Sequence, residues 1–199
     1  LEDISMPELL ENDTSDLGDR AKELISRGGN YHKNVIEAGK WKEAIRGYLA
    51  SITFADAMVG KLLENLKKSK YADNTIIVIW SDHGWQLGEK MHWRKFALWE
   101  NVIKTLLMIK VPEGITVLPS GSNNGKNVES LTSLLDIYPT LVELCDLPKN
   151  NNLDGKSLVK LLNNPELKID RSIITTYDFA DYSVRKGPWH YINYVDGSE

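Results

Sequence analysis

Residues 81–95 read SDHGWQLGEKMHWRK and gather carboxylate, imidazole, ammonium and guanidinium groups in one short stretch. Asp82 offers a hard anionic oxygen, and a neutral His83 offers a ring nitrogen. Leaving a strand side by side, the two can turn toward one cation if the backbone bends, and Gly84 permits the bend. His92 and Lys95 follow ten and thirteen residues after Asp82, with Arg94 between them. A loop folding back over the strand end would bring these donors near the same ion. An Asp-His-Gly tripeptide also occurs in ordinary turns, so the tripeptide alone does not separate a ligand pair from a turn. Trp85, Trp93 and Trp99 are pocket walls or core residues, and the default places two of them in the core.

The elements that must position these groups are legible on either side. Ile45, Tyr48, Leu49, Ile52, Ala55, Val59, Leu62, Leu63 and Leu66 recur at helical spacing, which predicts one long amphipathic helix over residues 40–68. Its basic end, Lys67, Lys68 and Lys70, suits the helix dipole. A turn at residues 71–74 leads into TIIVIW (75–80), an apolar β-branched run without alternation, as in a strand buried on both faces. Asp82 and His83 thus leave the carboxyl end of a strand, the edge where open α/β sheets bind ligands. Residues 98–102 predict a short helical piece and 105–111 a second strand stopped by Pro112. Residues 113–127 predict a surface loop.

Further along, residues 130–144 predict a helix in which Pro139 marks a kink or boundary, and residues 157–162 a short one. Residues 172–177 and 189–194 predict strands, with a third starting near 183–185. Residues 1–30 read as polar and loop-like, broken at Gly28-Gly29, with a weak helical signal over 16–26. This order predicts an α/β layer architecture with a strand-rich end. The expected division is 1–165, part of an α/β domain, and 166–199, the beginning of a C-terminal subdomain.

Composition sets the outer limits. Among 199 residues, 42% are hydrophobic and 26% charged, ordinary for a folded chain. The net charge of -4 gives no reason to expect nucleic-acid binding, which concentrates basic charge on one face. Cys145 stands alone, so neither an intrachain disulfide nor a cysteine-based zinc cluster can form. No apolar run approaches the ~20 residues of a membrane span. Residues 1–10 do not read as a signal peptide, and a first residue other than Met suggests a processed or excised chain.

The stretch SDHGWQLGEKMHWRKFALWENVIKTLLMIKVPEG resembles the corresponding block of the type I sulfatases, in the alkaline-phosphatase superfamily, and is most similar to the iduronate-2-sulfatase-like branch. GYLASITFADAMVGKLLENL, VESLTSLLDIYPTLVELCDLP with LDGKSLVKLL, and VRKGPWHYINYVDGSE extend the resemblance over roughly residues 45–199. It implies an alkaline-phosphatase-like sandwich: a mixed, mostly parallel sheet flanked by helices, plus the start of a small C-terminal antiparallel sheet. It implies that Asp82 and His83 are ligands of one calcium ion and that Lys95 contacts the sulfate group. His92, at a position that varies, becomes a candidate for the sulfate or leaving-group side, and Trp85 for shaping the substrate pocket. The implied reaction is sulfate-ester hydrolysis by a formylglycine, and the implied substrate is a sulfated saccharide. The implied location is periplasmic, secreted or lysosomal.

The sequence departs from that pattern in one large respect. No C/S-x-P-x-R motif, the source of the formylglycine, occurs in it, and neither does the Asp-Asp pair that completes the calcium shell. The family's upstream His/Lys element is also absent, and His32 has the wrong surroundings to replace it. Cys145, in ELCDLP, reads as a small buried hydrophobe. The expectation is therefore a fragment, inactive alone, whose partner is the N-terminal part of the same enzyme. Two other readings stand: a phosphatase or phosphonate hydrolase of the same superfamily, and a non-catalytic domain that binds an ion or a partner.

Overall fold

A computed structural model describes residues 3–10, 12–27, 31–122 and 125–199. The chain begins with two short helices, α1 (Asp19–Ser26) and α2 (Tyr31–Glu37), before the long α3 (Trp41–Lys67). α1 occupies most of the weakly helical stretch, and its Ala21 and Leu24 are buried. The expected break at Gly28-Gly29 lies outside the described residues. Local propensity gives no sign of α2, which buries none of its residues. It is tied down from outside instead: Trp93 donates to His32 Nδ1 at 3.2 Å, and Arg94 donates to the Tyr31 hydroxyl at 2.9 Å.

α3 runs as its periodicity predicts, but only Ile45 on it is buried. Leu49, Ile52, Phe54, Met58 and Leu62 are all exposed, so most of the apolar stripe has no partner among the described residues. β1 (Ile77–Trp80) pairs antiparallel with β4 (Leu107–Lys110), Ile77 opposite Lys110 and Trp80 opposite Leu107. Every strand pair among the described residues is antiparallel. The expected mostly parallel sheet is thus not seen among the described residues, where β1 and β4 form a two-stranded antiparallel sheet. Trp80 and Met108 are each about half exposed, which is not the two-sided burial that an unalternating apolar run leads one to expect.

Between β1 and β4 lie a small hairpin, β2 (Gln86–Leu87) with β3 (Trp93–Arg94), and the short helix α4 (Glu100–Ile103). The hairpin has no alternating sequence to announce it. The expected helix over 130–144 is shorter than predicted, α5 (Ile137–Leu144), preceded by a single tight turn at Leu134–Asp136. Ser133 and Asp136 cap that turn reciprocally, so the chain stays extended before it. Pro139 then sits in the first turn of α5, where its missing N–H costs nothing.

α6 (Val159–Asn163) packs on α5. β5 (Ser172–Asp178), β6 (Asp181–Lys186) and β7 (Trp189–Asn193) form an antiparallel meander in that order. Two apolar clusters occur among the described residues. Ala21, Leu24, Leu98 and Tyr194 join α1 to the segment before α4 and to the end of the meander. Val111, Leu118, Leu144 and Val159 join the β4 exit to α5 and α6. The fully buried Asp181 takes two hydrogen bonds from the Arg20 guanidinium, at 2.7 and 2.9 Å, and locks α1 onto the meander. No helix among the described residues is long and apolar enough to cross a membrane.

Candidate active site at the tip of the first strand

The backbone turns sharply as it leaves β1. Ser81 Oγ donates to the His83 carbonyl at 2.8 Å, and the amides of Gly84 and Trp85 donate to the carbonyls of Val102 and Asn101 at 2.7 and 3.0 Å. A Cβ on Gly84 would overlap the Asn101 carbonyl, so only glycine lets the strand tip lie this close to α4. The strand end is therefore fixed against a second element before any side chain is considered.

On this turn Asp82 and His83 point the same way. Asp82 Oδ2 lies 3.5 Å from His83 Nε2, and Asp82 Oδ1 accepts the His83 amide at 3.1 Å. The other ring nitrogen, Nδ1, is 2.8 Å from the Gly84 carbonyl. A carbonyl can only accept, so Nδ1 carries the hydrogen and the neutral ring keeps its lone pair on Nε2. The Asp82 side chain is 70% exposed and that of His83 28% exposed, leaving both open to an ion from solvent.

The spacing suits a shared cation. Two ligands at ~2.4 Å from one ion and at right angles to each other stand about 3.4 Å apart. Two ligands are few for calcium, which takes six to eight, and no group of three or more metal-ligating side chains occurs among the described residues. Asp82 and His83 thus fit as one side of a shell.

The other expected residues are placed differently. Trp85 lies beside the pair, its ring 6.2 Å from the His83 ring and 6.0 Å from that of Tyr48 on α3, nearly parallel to both. Lys95 follows the hairpin. Its Nζ lies 5.8 Å from the Phe96 ring centroid, and no ion pair engages it among the described residues. His92 faces inward, only 2% exposed, with its ring edge-on to Trp99 at 5.7 Å. Neither of its ring nitrogens has a well-formed hydrogen bond. Burial lowers its pKa from 6.5, and the Ile25 carbonyl opposes that shift weakly. The structure brings Asp82, His83 and Trp85 together; it puts His92 in the interior beneath the hairpin. All three tryptophans of the stretch are half-buried, so none joins the core.

The hairpin that carries Lys95 is held in an unusual backbone. Lys90, Met91 and Arg94 all have positive φ, at 50, 52 and 81°. Such left-handed residues are strained and persist only where surroundings impose them. The surroundings come from the start of the chain. Trp41 donates to the Leu87 carbonyl at 2.7 Å, and its ring packs where any Cβ on Gly88 would stand. Lys90 pairs with Asp13 at 2.9 Å. Nothing in the sequence marked Asp13, Tyr31, His32 or Trp41 for this task; the one available signal is a tryptophan at the first position of a helix, where packing alone gives little reason for it.

The sulfatase family model matches residues 8–147. This chain belongs to the sulfatase family. It is 42% identical over 164 residues to a sulfatase of Formosa agariphila, covering 82% of this chain and 31% of that protein. It is 32% identical over 120 residues to iduronate 2-sulfatase of Mus musculus, covering 52% of this chain and 22% of that protein. The chain therefore spans about a third or less of the length of these relatives.

Among solved structures it resembles BT4656 in complex with its substrate D-glucosamine-2-N,6-O-disulfate, with a TM-score of 0.70 and 26% identity over 80% of this chain and 33% of that one. It also resembles the phosphonate monoester hydrolase of Agrobacterium radiobacter, with a TM-score of 0.66 and 25% identity over 80% of this chain and 34% of that one. The fold is the alkaline-phosphatase-like one of these sulfatases, with a small antiparallel sheet at its C-terminal side.

Proposed function

We propose that this chain supplies one side of the active site of a calcium-dependent sulfatase that hydrolyses sulfate esters of saccharides. The observation that carries the reading is the convergence of Asp82 Oδ2 and His83 Nε2, 3.5 Å apart at an open strand tip. Asp82 and His83 would hold the ion together with residues outside these 199, where the formylglycine nucleophile would also lie. Bound calcium supplies positive charge against the sulfate oxygens.

The chain's own residues do the rest. Gly84, pinned to Asn101, holds the two ligands in register. The Gly84 carbonyl keeps the His83 proton on Nδ1, so that Nε2 stays a ligand rather than a donor. Lys95, without a carboxylate partner among the described residues, donates a charge-assisted hydrogen bond to a sulfate oxygen, which strengthens as charge builds in the transition state. Trp85 forms a wall of the pocket. His92, in the interior, supports the hairpin from below rather than meeting the leaving group.

The test is Asp82→Ala in the full-length protein, with 4-nitrophenyl sulfate and calcium. Turnover should fall by roughly 10²–10³ or more, as for loss of a principal electrostatic contact, and calcium affinity should fall with it. Near-normal turnover overturns the reading. The likeness to a phosphonate monoester hydrolase supports a second reading, cleavage of a phosphonate monoester at the same tip. Comparing kcat/KM for matched sulfate and phosphonate esters decides between them.

A further inference from the structure

α4 is a single turn of four residues, too short to propagate a helix, so its conformation is set by what surrounds it. It nevertheless braces the strand tip: the Asn101 and Val102 carbonyls accept the amides of Trp85 and Gly84. Whatever holds α4 therefore bears on Asp82 and His83. We infer that the C-terminal meander holds it through an ion pair between Glu100 and Arg185, which makes Arg185 a positioning residue for the two calcium ligands. The inference rests on the sulfatase reading above and goes beyond it in giving the small sheet a part in metal binding.

Glu100 opens α4, one residue before Asn101. Lys104, four residues further on, is the partner that helical spacing offers it. The carboxylate goes to the sheet instead. Oε1 accepts from Arg185 Nη2 on β6 at 3.4 Å, and Oε2 lies 3.7 Å from His190 Nδ1 on β7. Arg185 and His190 stand opposite each other across the two strands, so one carboxylate reaches both. Burial lowers the His190 pKa from 6.5, against the pull of Glu100, which leaves Arg185 as the charged partner at neutral pH. The Arg185 side chain is 29% exposed, so its attraction to Glu100 is less screened than that of a surface pair.

Apolar contact alone would not fix the helix. Leu98, just before α4, is buried in one cluster with Tyr194, just after β7, but such packing is non-directional and tolerates a shift. The ion pair adds a direction. Two amides tie the tip to α4, and Arg185 ties α4 to the sheet. Without the second tie the tip and α4 can move together. Asp82 and His83 form one side of the shell, and the remaining ligands would lie outside these 199 residues. A tip that moves with α4 then moves relative to those ligands, and the ion is held less tightly. Groups that support a metal ligand without touching the ion typically change affinity by about 10–100-fold when removed.

The test uses the full-length protein, with calcium affinity read by isothermal titration calorimetry and stability by the midpoint of denaturant unfolding without calcium. Glu100→Gln, which keeps the shape and removes the charge, should weaken calcium binding about tenfold, and Arg185→Met should do the same. Arg185→Lys should restore most of the affinity. At saturating calcium, kcat for 4-nitrophenyl sulfate should return close to the wild-type value in Glu100→Gln, because the pair acts through the ligands rather than on the substrate. Calcium affinity unchanged in Glu100→Gln overturns the positioning role, whatever happens to the unfolding midpoint of Arg185→Met, and leaves the sulfatase reading in place. Wild-type protein that binds no calcium, or whose binding survives Asp82→Ala, overturns both.

Discussion

At Asp136 no oxygen is left without a partner. Oδ2 accepts the Ser133 amide and Arg171 Nη1, each at 2.8 Å, while Oδ1 accepts the Lys156 amide at 2.8 Å and Arg171 Nη2 at 3.1 Å. The residue is fully buried. Asp82, by contrast, accepts one amide and exposes most of its side chain. One carboxylate spends all its capacity on holding α5, the loop before α6 and the approach to β5 together. The other leaves most of its capacity unused among the described residues. An aspartate at the end of an element is thus explained by what it has left over, and the residue type alone does not distinguish a structural acid from a ligand.

The contrast predicts opposite phenotypes. Asp136→Ala strands the Arg171 guanidinium and two amides in the interior and should destabilise the fold by about 3–5 kcal/mol, read as a fall in the midpoint of denaturant unfolding. Asp82→Ala should leave that midpoint within about 0.5 kcal/mol while removing turnover. Equal losses of stability in the two variants would erase the distinction and return Asp82 to an ordinary turn.

Which of these roles could be read beforehand depended on how local the physics was. The long helix, the strands β1 and β4 and the turn that carries Asp82 and His83 were legible because periodicity, an apolar run and an abrupt polar stop are properties of neighbouring residues. The resemblance of residues 81–114 to a sulfatase block carried the family. α2 and the hairpin Gln86–Arg94 were not legible, because both exist through contacts across the chain, such as Trp93 to His32 and Trp41 to Leu87. The same holds for His92. Spacing led to its expectation beside Asp82, but after the left-handed residues Lys90 and Met91 it is buried. Cys145, read as buried, is exposed at the end of α5, since the apolar face there is carried by Val142 and Leu144.

A smaller effect sharpens the comparison from the hairpin side. Trp41→Phe keeps an aromatic ring against Gly88 but removes the bond to the Leu87 carbonyl, worth about 1 kcal/mol. If the N-terminal segment positions Lys95, KM for 4-nitrophenyl sulfate should rise a few-fold with calcium affinity retained, since Asp82 and His83 are held by α4 instead. A parallel loss of calcium affinity would show that the two sides of the site are not separately braced.

The smallest effect concerns His92 and tests whether it belongs with Asp136 or with Asp82. Burial lowers the pKa of His32, His92 and His190 alike from the ordinary 6.5. For each, the unfolded chain binds the proton more readily than the folded one. Their contribution to stability is therefore complete above about pH 6.5 and is lost as the pH falls from there through the lowered folded value. The unfolding midpoint should drop between pH 7.5 and 5.5, and His92→Gln should make that slope shallower by removing one of the three groups. Because His92 is buried, the same variant should leave the pH profile of turnover in place. A shifted activity profile with an unaltered stability slope would put the imidazole in the chemistry rather than beneath it, and would join His92 to Asp82 instead of to Asp136.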